Sequence, residues 1–499
     1  MWASEKTIPI SRRRLLGMGA GLLCPLPGNA KALWFNTFNS LTEDLIQHPL
    51  HIKGRLPSDL KGHLYRAGPV HFEQPDGKRY QHWFDGDGGL LDIHLNGHGL
   101  ATATMRLLRT PGFVNEQQAG AVMYPSYGTP TTHALRKILR QDFKNVANTN
   151  VVSWNDQLYA LVESTLPTAI EPNTLERIDE TTFGGVIKGG FSAHPHRHTG
   201  GKILYNVGME LGLKSKLHIY AMNQSGQNRR LLSIPKPHCA MLHDFALTEK
   251  HIVLLQPPIH LDFKKVIASK GAVSEGLVWN GQRGTQITVI PLNDPDQMRS
   301  WEVDPFYQWH IGNAWELGPE IFIDLVKYRD FSSNKALGNL IHGYRNTGEL
   351  NGRLTRLRFN QISGTMATEF EAKHSGEFPQ VSTGVWAQRN RYVYLAEHSS
   401  EAISIAGLPD TLSQYDLKTG QRHSTQLSAT SYPTEPVAVP KTNAKHSEDC
   451  WILSVIYDAH SQTSKFTVFD SEAFSAGPVA TGDFGRPIPM TFHGHWQAE

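Results

Sequence analysis

Short runs of β-forming residues, each preceded by a polar turn, recur along most of this chain and constrain its fold more than any other feature. Residues 158–162, 203–207, 252–255 and 392–396 are four such runs. Short segments rich in β-branched and aromatic residues, bounded by Gly, Asn and Asp, are typical of strands. Many strands with few helices between them predict a sandwich, a barrel or a propeller. Over 499 residues a propeller is favoured because added blades do not widen a single core, although no WD or kelch signature settles the choice.

Composition is that of an ordinary globular protein and excludes one class of partner. Hydrophobic residues make up 39% and charged residues 19% of the chain, which is enough to build a large core. A formal net charge of +2 argues against the concentrated basic surface that binds nucleic acid. No apolar run reaches the ~18–20 residues that span a bilayer.

The N-terminus carries an export pattern. Ser11 to Leu16 read Ser-Arg-Arg-Arg-Leu-Leu, residues 17–26 are small or apolar, and residues 30–32 read Ala-Lys-Ala. A basic region, a short apolar region and a small-residue cleavage site predict a secretory signal, and the paired arginines indicate the twin-arginine type. We therefore expect a signal peptide over residues 1–32, a single domain over residues 33–499, and a periplasmic location. The alternative is a frayed basic tail.

The three cysteines do not form a disulfide framework. Cys24 lies in the predicted signal peptide, which leaves Cys239 and Cys450. A bridge between these two remains open, but two free and partly buried thiols are favoured because cysteine is among the most buried residue types.

Helical periodicity is sparse and is best developed over residues 132–145. Its apolar positions are Leu135, Ile138, Leu139 and Phe143, and basic residues lie between them. This spacing predicts a basic amphipathic helix. An ordinary surface helix covering the β core is favoured. The alternative is a peripheral membrane contact that admits an apolar substrate. Residues 328–350 form a second insertion of mixed apolar and basic character.

Histidine, with 25 copies, keeps metal chemistry open without selecting ligands by spacing. There is no HExxH or other close pair that stands out. Four histidines lie in notable contexts: His194 in Ala-His-Pro, His243 in Leu-His-Asp-Phe, His310 in Trp-His-Ile-Gly and His493 in Phe-His-Gly.

These contexts belong to a larger set of segments, in one order, that resembles the carotenoid cleavage oxygenases. The resemblance runs from about Gly54 to Trp496. Besides the four histidine contexts, it rests on Gly54–Gly62, Leu64–Pro69, His82–Gly88 (His-Trp-Phe-Asp-Gly-Asp-Gly), Asn148–Asn150, Glu377–Gln380 and Tyr432–Pro436.

The resemblance implies a seven-bladed β-propeller with a helical cap over one face. It also implies that His194, His243, His310 and His493, from four blades, hold Fe(II) on the propeller axis. Glutamates at positions 163, 377 and 435 match those that accept a ligand's free ring N–H in the family. Thr149 matches a threonine near the open coordination position.

Several positions depart from the family pattern. Residues 307–310 read Tyr-Gln-Trp-His where an aromatic with paired histidines is common, and Gly89 replaces a larger apolar residue. His196 and His198 are rival candidates to the first histidine, and His495 is a rival to the fourth.

The implied activity is cleavage of a carbon–carbon double bond by Fe(II) and O₂, giving two carbonyl products. Stilbene-cleaving relatives carry a lysine where this chain has Val162, which favours an apolar polyene, a carotenoid or apocarotenoid, as substrate. Three alternatives stay open: stilbene cleavage, a retinoid-isomerase-like reaction without O₂, and a propeller that serves only as a binding module.

Overall fold

The computed structural model describes residues 31–131, 136–137, 140, 142–163, 165–211, 215–235, 237–344, 350–400 and 407–499. Within these ranges the chain is built mainly of strands, as the recurring β-forming runs predict.

In chain order the strands begin with β1 (Leu45–Pro49), β2 (His51–Gly54), β3 (Lys61–His71), β4 (Asp87–Asn96), β5 (Ala101–Leu107), β6 (Asn150–Trp154), β7 (Gln157–Leu161), β8 (Thr168–Ile170), β9 (Arg177–Glu180), β10 (His196–Arg197), β11 (Ile203–Glu210), β12 (Lys216–Asn223) and β13 (Arg229–Pro235). The remaining strands continue in the same way: β14 (Ala246–Leu247), β15 (His251–Gln256), β16 (Ile259–Leu261), β17 (Leu277–Trp279), β18 (Thr285–Pro291), β19 (Arg299–Val303), β20 (Tyr307–Leu317), β21 (Glu320–Tyr328), β22 (Arg353–Asn360), β23 (Met366–Gln380), β24 (Tyr392–Glu397), β25 (Thr411–Asp416), β26 (Gln421–Ser424), β27 (Ser431–Pro433), β28 (Val437–Pro440), β29 (Cys450–Asp458), β30 (Thr463–Asp470), β31 (Ala480–Asp483) and β32 (Gly494–Ala498).

Antiparallel pairing divides these strands into the seven blades of a propeller, apart from β16 and β17, which pair in a separate two-stranded sheet, so the predicted fold class is confirmed. The blades are β32-β3-β4-β5 with β1 outermost, β6 to β9, β10 to β13, β14-β15-β18-β19, β20 to β23, β23 to β26, and β27/β28-β29-β30-β31 with β2 outermost. The fifth and sixth blades share β23, whose first part pairs with β22 and whose last part pairs with β24.

The two ends of the described chain close the ring. In the first blade β32 pairs with β3, in the register Gly62↔Ala498 to Arg66↔Gly494. In the seventh blade β2 pairs with β31. The innermost strand β32 also contacts β28 on one side and β6 on the other. This closure brings the last strand, and the loop before it, beside the propeller axis.

Apolar side chains fill the space between successive blades. One core cluster joins Leu90 of the first blade to Leu158 of the second, and another joins Ile287 of the fourth to Ile323 of the fifth. Because a blade is covered on both faces, its central strands read as continuous apolar runs rather than as alternating ones, as in residues 252–255.

Helical segments and loops cover one end of the propeller. Within the described residues the α-helices are α1 (Pro111–Ala119), α2 (Phe263–Ala268) and α3 (Ser333–Leu340). The 3₁₀ turns there are Leu33–Phe38, Trp83–Asp85, Val273–Gly276, Pro295–Gln297, Thr383–Val385 and Ser471–Ala476. Helix α1 starts with Pro111, is capped by the Thr110 hydroxyl, which accepts from the Phe113 N–H, and ends at Gly120 in the left-handed conformation, as helix ends favour. In the described part of the chain, no helix is long and apolar enough to cross a bilayer.

The helix predicted over residues 132–145 falls only partly within the described residues. Arg136 and Lys137 are helical, while residues 142–145 are not, and residues 132–135, 138, 139 and 141 lie outside the described residues. The prediction was wrong for Lys144, which does not lie on an exposed basic face. Its ammonium is buried against Asp87, Glu116 and the Tyr80 hydroxyl, because a buried charge requires partners.

The structure also bears on the N-terminus, on the two remaining thiols and on the departure from the family pattern at Gly89. Residues 1–30 of the predicted signal peptide lie outside the described residues. Cys239 and Cys450 are free and buried, which confirms the favoured interpretation, and burial raises the pKa of both thiols to about 12. At Gly89 a Cβ atom would lie 2.6 Å from the Arg106 carbonyl oxygen and 2.6 Å from a Val70 methyl, so no larger residue fits there.

Candidate metal centre

The structure brings the four predicted histidines together at the inner ends of four blades. His194, His243 and His493 lie in the turns just before β10, β14 and β32, and His310 lies within β20. Three of these side chains are buried and that of His310 is nearly so. Since every innermost strand of a propeller faces the same axis, residues almost 300 positions apart become neighbours.

The ring nitrogens have the spacing of ligands to one ion. One nitrogen from each histidine lies within 4.8 Å of the others. The Nε2 of His243 is 3.0 Å from that of His194 and 3.2 Å from that of His310. Two nitrogens bound at right angles to a metal at about 2.1 Å would be about 3 Å apart.

Three of the histidines have a carboxylate at the opposite ring nitrogen. His310 Nδ1 lies 2.6 Å from Glu377 and His493 Nδ1 lies 2.9 Å from Glu435. His243 Nδ1 contacts Glu163. Among the described residues, no carboxylate lies beside His194. The structure therefore places each predicted glutamate on a different predicted histidine.

This pairing tests whether the residues present fit a metal. A carboxylate that accepts the Nδ1–H bond fixes the tautomer and leaves a bare lone pair on Nε2. The Nε2 atoms of His243 and His310 then face each other with no proton between them. Such an arrangement is repulsive until a cation is bound, so the donor set fits a divalent transition metal.

The electrostatic environment keeps His194 neutral and keeps Glu163 and Glu435 charged. Burial, followed by the charges of the other three histidines, lowers the pKa of His194 well below its usual 6.5. Burial alone would raise the pKa of Glu163 and of Glu435, but the charge and hydrogen bond of His243 and His493 outweigh it, and both values are lowered. Glu163 and Glu435 can thus offset the charge of a bound dication.

Further contacts hold the carboxylates in place and were not found from the sequence. Glu377 accepts from the Tyr328 hydroxyl at 2.8 Å and from the Phe378 N–H at 2.8 Å. Glu435 accepts from the Gln380 amide at 2.8 Å and from the Gly494 N–H at 2.8 Å. Of these residues, Tyr328 was the least visible, because it marks only the start of the insertion at residues 328–350.

Arg66 is a second residue that sequence reasoning passed over. Its fully buried guanidinium donates to the carbonyl oxygens of Glu435 and Phe492 and to the Thr491 hydroxyl, at 2.8 to 3.0 Å. Burial lowers its pKa to about 10. Arg66 thereby fixes the backbone on both sides of the His493–Glu435 pair. The signal was an arginine inside the apolar run Leu64–Pro69.

A large apolar cavity of about 460 Å³ opens onto one side of the cluster and is lined by His243, His310 and His493. Its wall is contributed by the inner ends of the blades and by the helical cap, and includes Phe84, Met241, Trp309, Leu337, Phe378 and Phe492. A concave apolar cavity with a few polar groups at one point is the usual form of a small-molecule site.

A smaller cavity of about 140 Å³ lies on the other side and contains two of the three rival histidines. His196 pairs with Asp244 at 2.8 Å, and burial, then the charge of Arg197, lowers the pKa of His495 to about 3. His198 contacts the carbonyl oxygens of Thr199 and Glu249. None of the three belongs to the cluster of four.

Thr149 lies in the wall of the large cavity together with Val162 and Glu163. Its hydroxyl is 3.1 Å from the Asn148 side-chain oxygen, and the Asn148 amide donates to the carbonyl oxygens of Phe84 and Gly86. The segment His82–Gly88 therefore supports Thr149 through Asn148, a role that sequence reasoning did not assign.

Comparison with known proteins identifies similar chains of nearly equal length. The family model described as Retinal pigment epithelial membrane protein matches residues 38–498. The apocarotenoid-15,15'-oxygenase of Synechocystis is 28% identical, covering 93% of this chain and 96% of its own. The carotenoid 9,10(9',10')-cleavage dioxygenase 1 of Arabidopsis thaliana is 25% identical, covering 89% and 85%. A cobalt-substituted structure of the Synechocystis enzyme matches with a TM-score of 0.83 and 26% identity, over 94% of this chain and 98% of that one.

Proposed function

The chain belongs to the family of the retinal pigment epithelial membrane protein and the carotenoid cleavage oxygenases, and from that premise we propose that it is a non-haem Fe(II) dioxygenase. Its proposed reaction is oxidative cleavage of one carbon–carbon double bond in a carotenoid or apocarotenoid. Relatives are named for this chemistry.

One observation carries the proposal: four converging imidazoles lie at the base of an apolar cavity, and three of them, those of His243, His310 and His493, line it. Neutral imidazole is a suitable ligand for iron. Four nitrogen ligands also leave coordination positions for O₂. A cobalt-substituted relative agrees with a transition metal in this family.

The proposed reaction balances without a further reductant. The C=C and O–O bonds break and two C=O bonds form, so one alkene and one O₂ give two carbonyl compounds. Iron, when bound, supplies the activation of O₂. The chain's own part is to hold that metal through His194, His243, His310 and His493 and to place the alkene beside it.

Other residues have positioning roles in this proposal. Glu163, Glu377 and Glu435 keep the Nδ1 protons on three histidines and aim their lone pairs inward. Thr149, in the cavity wall, limits the space beside the coordination positions that the histidines leave open. No separate acid or base is required.

The cavity supports an apolar polyene as substrate. Val162 is apolar, whereas stilbene-cleaving relatives carry at this position a lysine that would contact the phenol of a hydroxylated stilbene. Lys144 also lines the cavity, but its buried ammonium is already bound to Asp87, Glu116 and Tyr80. A hydroxylated stilbene would therefore find few free donors in this wall.

We also propose export through the twin-arginine signal and a peripheral membrane contact within residues 132–145, ahead of the buried Lys144. Support for the contact comes from α2, which adjoins this segment: the Thr131 N–H donates to the Lys270 carbonyl at 2.8 Å. Phe263 and Ile267 of α2 are 43% and 54% exposed. Exposed apolar residues among lysines suit a lipid surface.

Turnover with and without O₂ tests the proposed reaction. Iron-loaded protein is incubated with β-carotene, an apocarotenal or a hydroxylated stilbene, first anaerobically and then in air. We expect aldehydes from a carotenoid or apocarotenoid only after O₂ is admitted, and none from His243→Ala. The His198→Ala variant, altered outside the cluster, should behave as wild type.

Each other outcome identifies an alternative. Anaerobic conversion without cleavage would favour the isomerase-like reaction. Cleavage of the stilbene alone would identify a stilbene-cleaving dioxygenase. Binding of a carotenoid without any conversion by the iron-loaded protein would leave a binding module.

A further inference from the structure

A second group of metal-binding side chains lies outside the four-histidine centre, in the first blade. His63 of β3 and His94 of β4 are direct partners in the antiparallel register. Glu499 follows β32, and its N–H donates to the Lys61 carbonyl oxygen at 3.2 Å. The three side chains therefore come from three neighbouring strands or their ends, and all lie on one face.

Their ligand atoms are close enough for one ion. All three lie within 4.8 Å of one another. His94 Nε2 is 2.9 Å and His63 Nε2 is 3.6 Å from the same oxygen, Oε1 of Glu499. Ligands at about 2.1 Å in a tetrahedral site lie about 3.4 Å apart, so these two separations bracket the required value.

A further carboxylate orients one of the histidines. Asp92 lies two residues before His94, on the same face of β4, and its carboxylate contacts His63 Nδ1 at 3.0 Å. A carboxylate at the far nitrogen of a ligand histidine is the usual support of a metal site. The His63 and His94 rings stack, with centroids 4.5 Å apart and planes 13° from parallel, which places both Nε2 atoms beside Glu499. Because each lone pair lies in its ring plane, one ring must rotate about its Cβ–Cγ bond for both to bind the same ion.

The local charge also favours a cation. With neutral histidines, Asp92 and Glu499 carry two negative charges and Lys61, 3.0 Å from Glu499 Oε2, carries one positive charge. Lys61 contacts Oε2, so it does not compete with a metal for Oε1, the oxygen that faces the two histidines. The ligand atoms are partly exposed, so an ion can enter from solvent.

We propose that His63, His94 and Glu499 form a second metal site that binds a borderline divalent ion, with Zn²⁺ as the representative. Two imidazoles and one carboxylate are a donor set typical of zinc. The ion would join β4, β3 and the end of β32, three neighbouring strands of the first blade, in which β32 and β3 close the ring. The site does not depend on iron or on the proposed reaction.

The competing explanation is that protonated histidines simply hydrogen-bond to Asp92 and Glu499. The hydrogen bond that His63 donates to Asp92 raises the pKa of His63, although burial alone would lower it. That network would hold these side chains together without any metal, so only binding measurements distinguish the two.

Zinc content of the iron-loaded, full-length protein tests the proposal. After equilibrium dialysis against Zn²⁺, both metals are counted per chain. We expect one zinc in addition to undiminished iron, at least tenfold weaker zinc binding in His94→Gln, and roughly 10–100-fold weaker binding in Asp92→Asn. His98→Gln, a change at an exposed histidine in the turn after β4, is the matched control and should bind as wild type.

A second readout follows from the position of the site. Zinc should raise the Tm of wild type and of His98→Gln but not that of His94→Gln, whose Tm without zinc shows whether it folds. The proposal is overturned if zinc is gained only as iron is lost, or if wild type takes up no more zinc than the His63→Gln/His94→Gln double variant.

Discussion

At the scale of single residues, the centre depends on which ring nitrogen of each histidine carries a proton. Glu163, Glu377 and Glu435 settle this for three ligands, whereas His194 relies on burial to stay neutral. The sequence could predict these residues only through the order of matched segments. No local spacing marks residues whose contact arises from ring closure.

Removing the charge of Glu377 should weaken metal binding without unfolding the protein. In Glu377→Gln the amide oxygen can take the place of Oε2 and still accept from His310 and from the Phe378 N–H, but its NH₂ group would then face the Tyr328 hydroxyl, which now donates to Oε1. We expect iron affinity to fall roughly 10–100-fold, measured by chelator competition. Glu371→Gln, at an exposed position of the same strand, should leave it unchanged. Equal affinities in the two variants would contradict the role given to Glu377.

A buried histidine outside the centre should make stability depend on pH. His82 donates to the Asn334 carbonyl and accepts from the Phe84 N–H, and burial lowers its pKa from 6.5 to about 4. The unfolded chain therefore binds this proton first as pH falls below 6.5, and stability is lost progressively down to about pH 4. From pH 7 to pH 5 the loss from this group is about 2 kcal/mol.

Urea denaturation of the metal-free protein at pH 7 and pH 5 measures this effect. The difference between the two pH values should be smaller in His82→Gln than in wild type, whereas the exposed-site variant His98→Gln should retain the full difference. A His82→Gln difference as large as that of wild type would show that His82 is protonated in the folded state.

At the scale of elements, the sequence predicted the strands well but predicted the helical insertion at residues 132–145 poorly. The runs at 158–162, 203–207, 252–255 and 392–396 correspond to β7, β11, β15 and β24. The predicted helix at 132–145 included Lys144, whose partners Asp87 and Glu116 come from β4 and α1. Periodicity within one segment carries no information about such distant partners.

The close approach of β3 to the loop before β32 can be tested with one methyl group. A Cβ at Gly68 would lie 2.5 Å from the Thr491 Cα, two residues before His493. Gly68→Ala should displace this loop, lower stability by about 1–3 kcal/mol and reduce bound iron. Denaturant midpoints and iron counts measure both effects.

Gly99→Ala separates the displacement of the ligand loop from a general loss of stability. Gly99 has φ +86° and open space around its Cβ position, so the change strains a surface turn far along the chain from the ligands. It should lower stability while iron is retained. Gly68→Ala with full iron would contradict the proposed coupling.

At the scale of the whole molecule, closure of the ring unites the fold and the centre. The pairing of β32 with β3 positions His493. Arg66 of β3 holds the backbone beside it by donating to the carbonyl oxygens of Glu435 and Phe492. The propeller was within reach of the sequence because strand runs recur throughout. The sharing of β23 between two blades, the Tyr328–Glu377 contact and the His63–His94–Glu499 group were not, because each depends on how separate blades meet.

The iron content of single-histidine variants is the most direct test of the central claim that four blades supply one metal centre. His194→Ala, His243→Ala, His310→Ala, His493→Ala and the control His198→Ala are purified anaerobically with Fe(II), and iron is counted per folded chain. We predict about one iron in wild type and in His198→Ala, and a large loss in each of the other four, because each removes one of four converging nitrogens. Full iron in any of those four variants, or its loss in His198→Ala, would contradict the account.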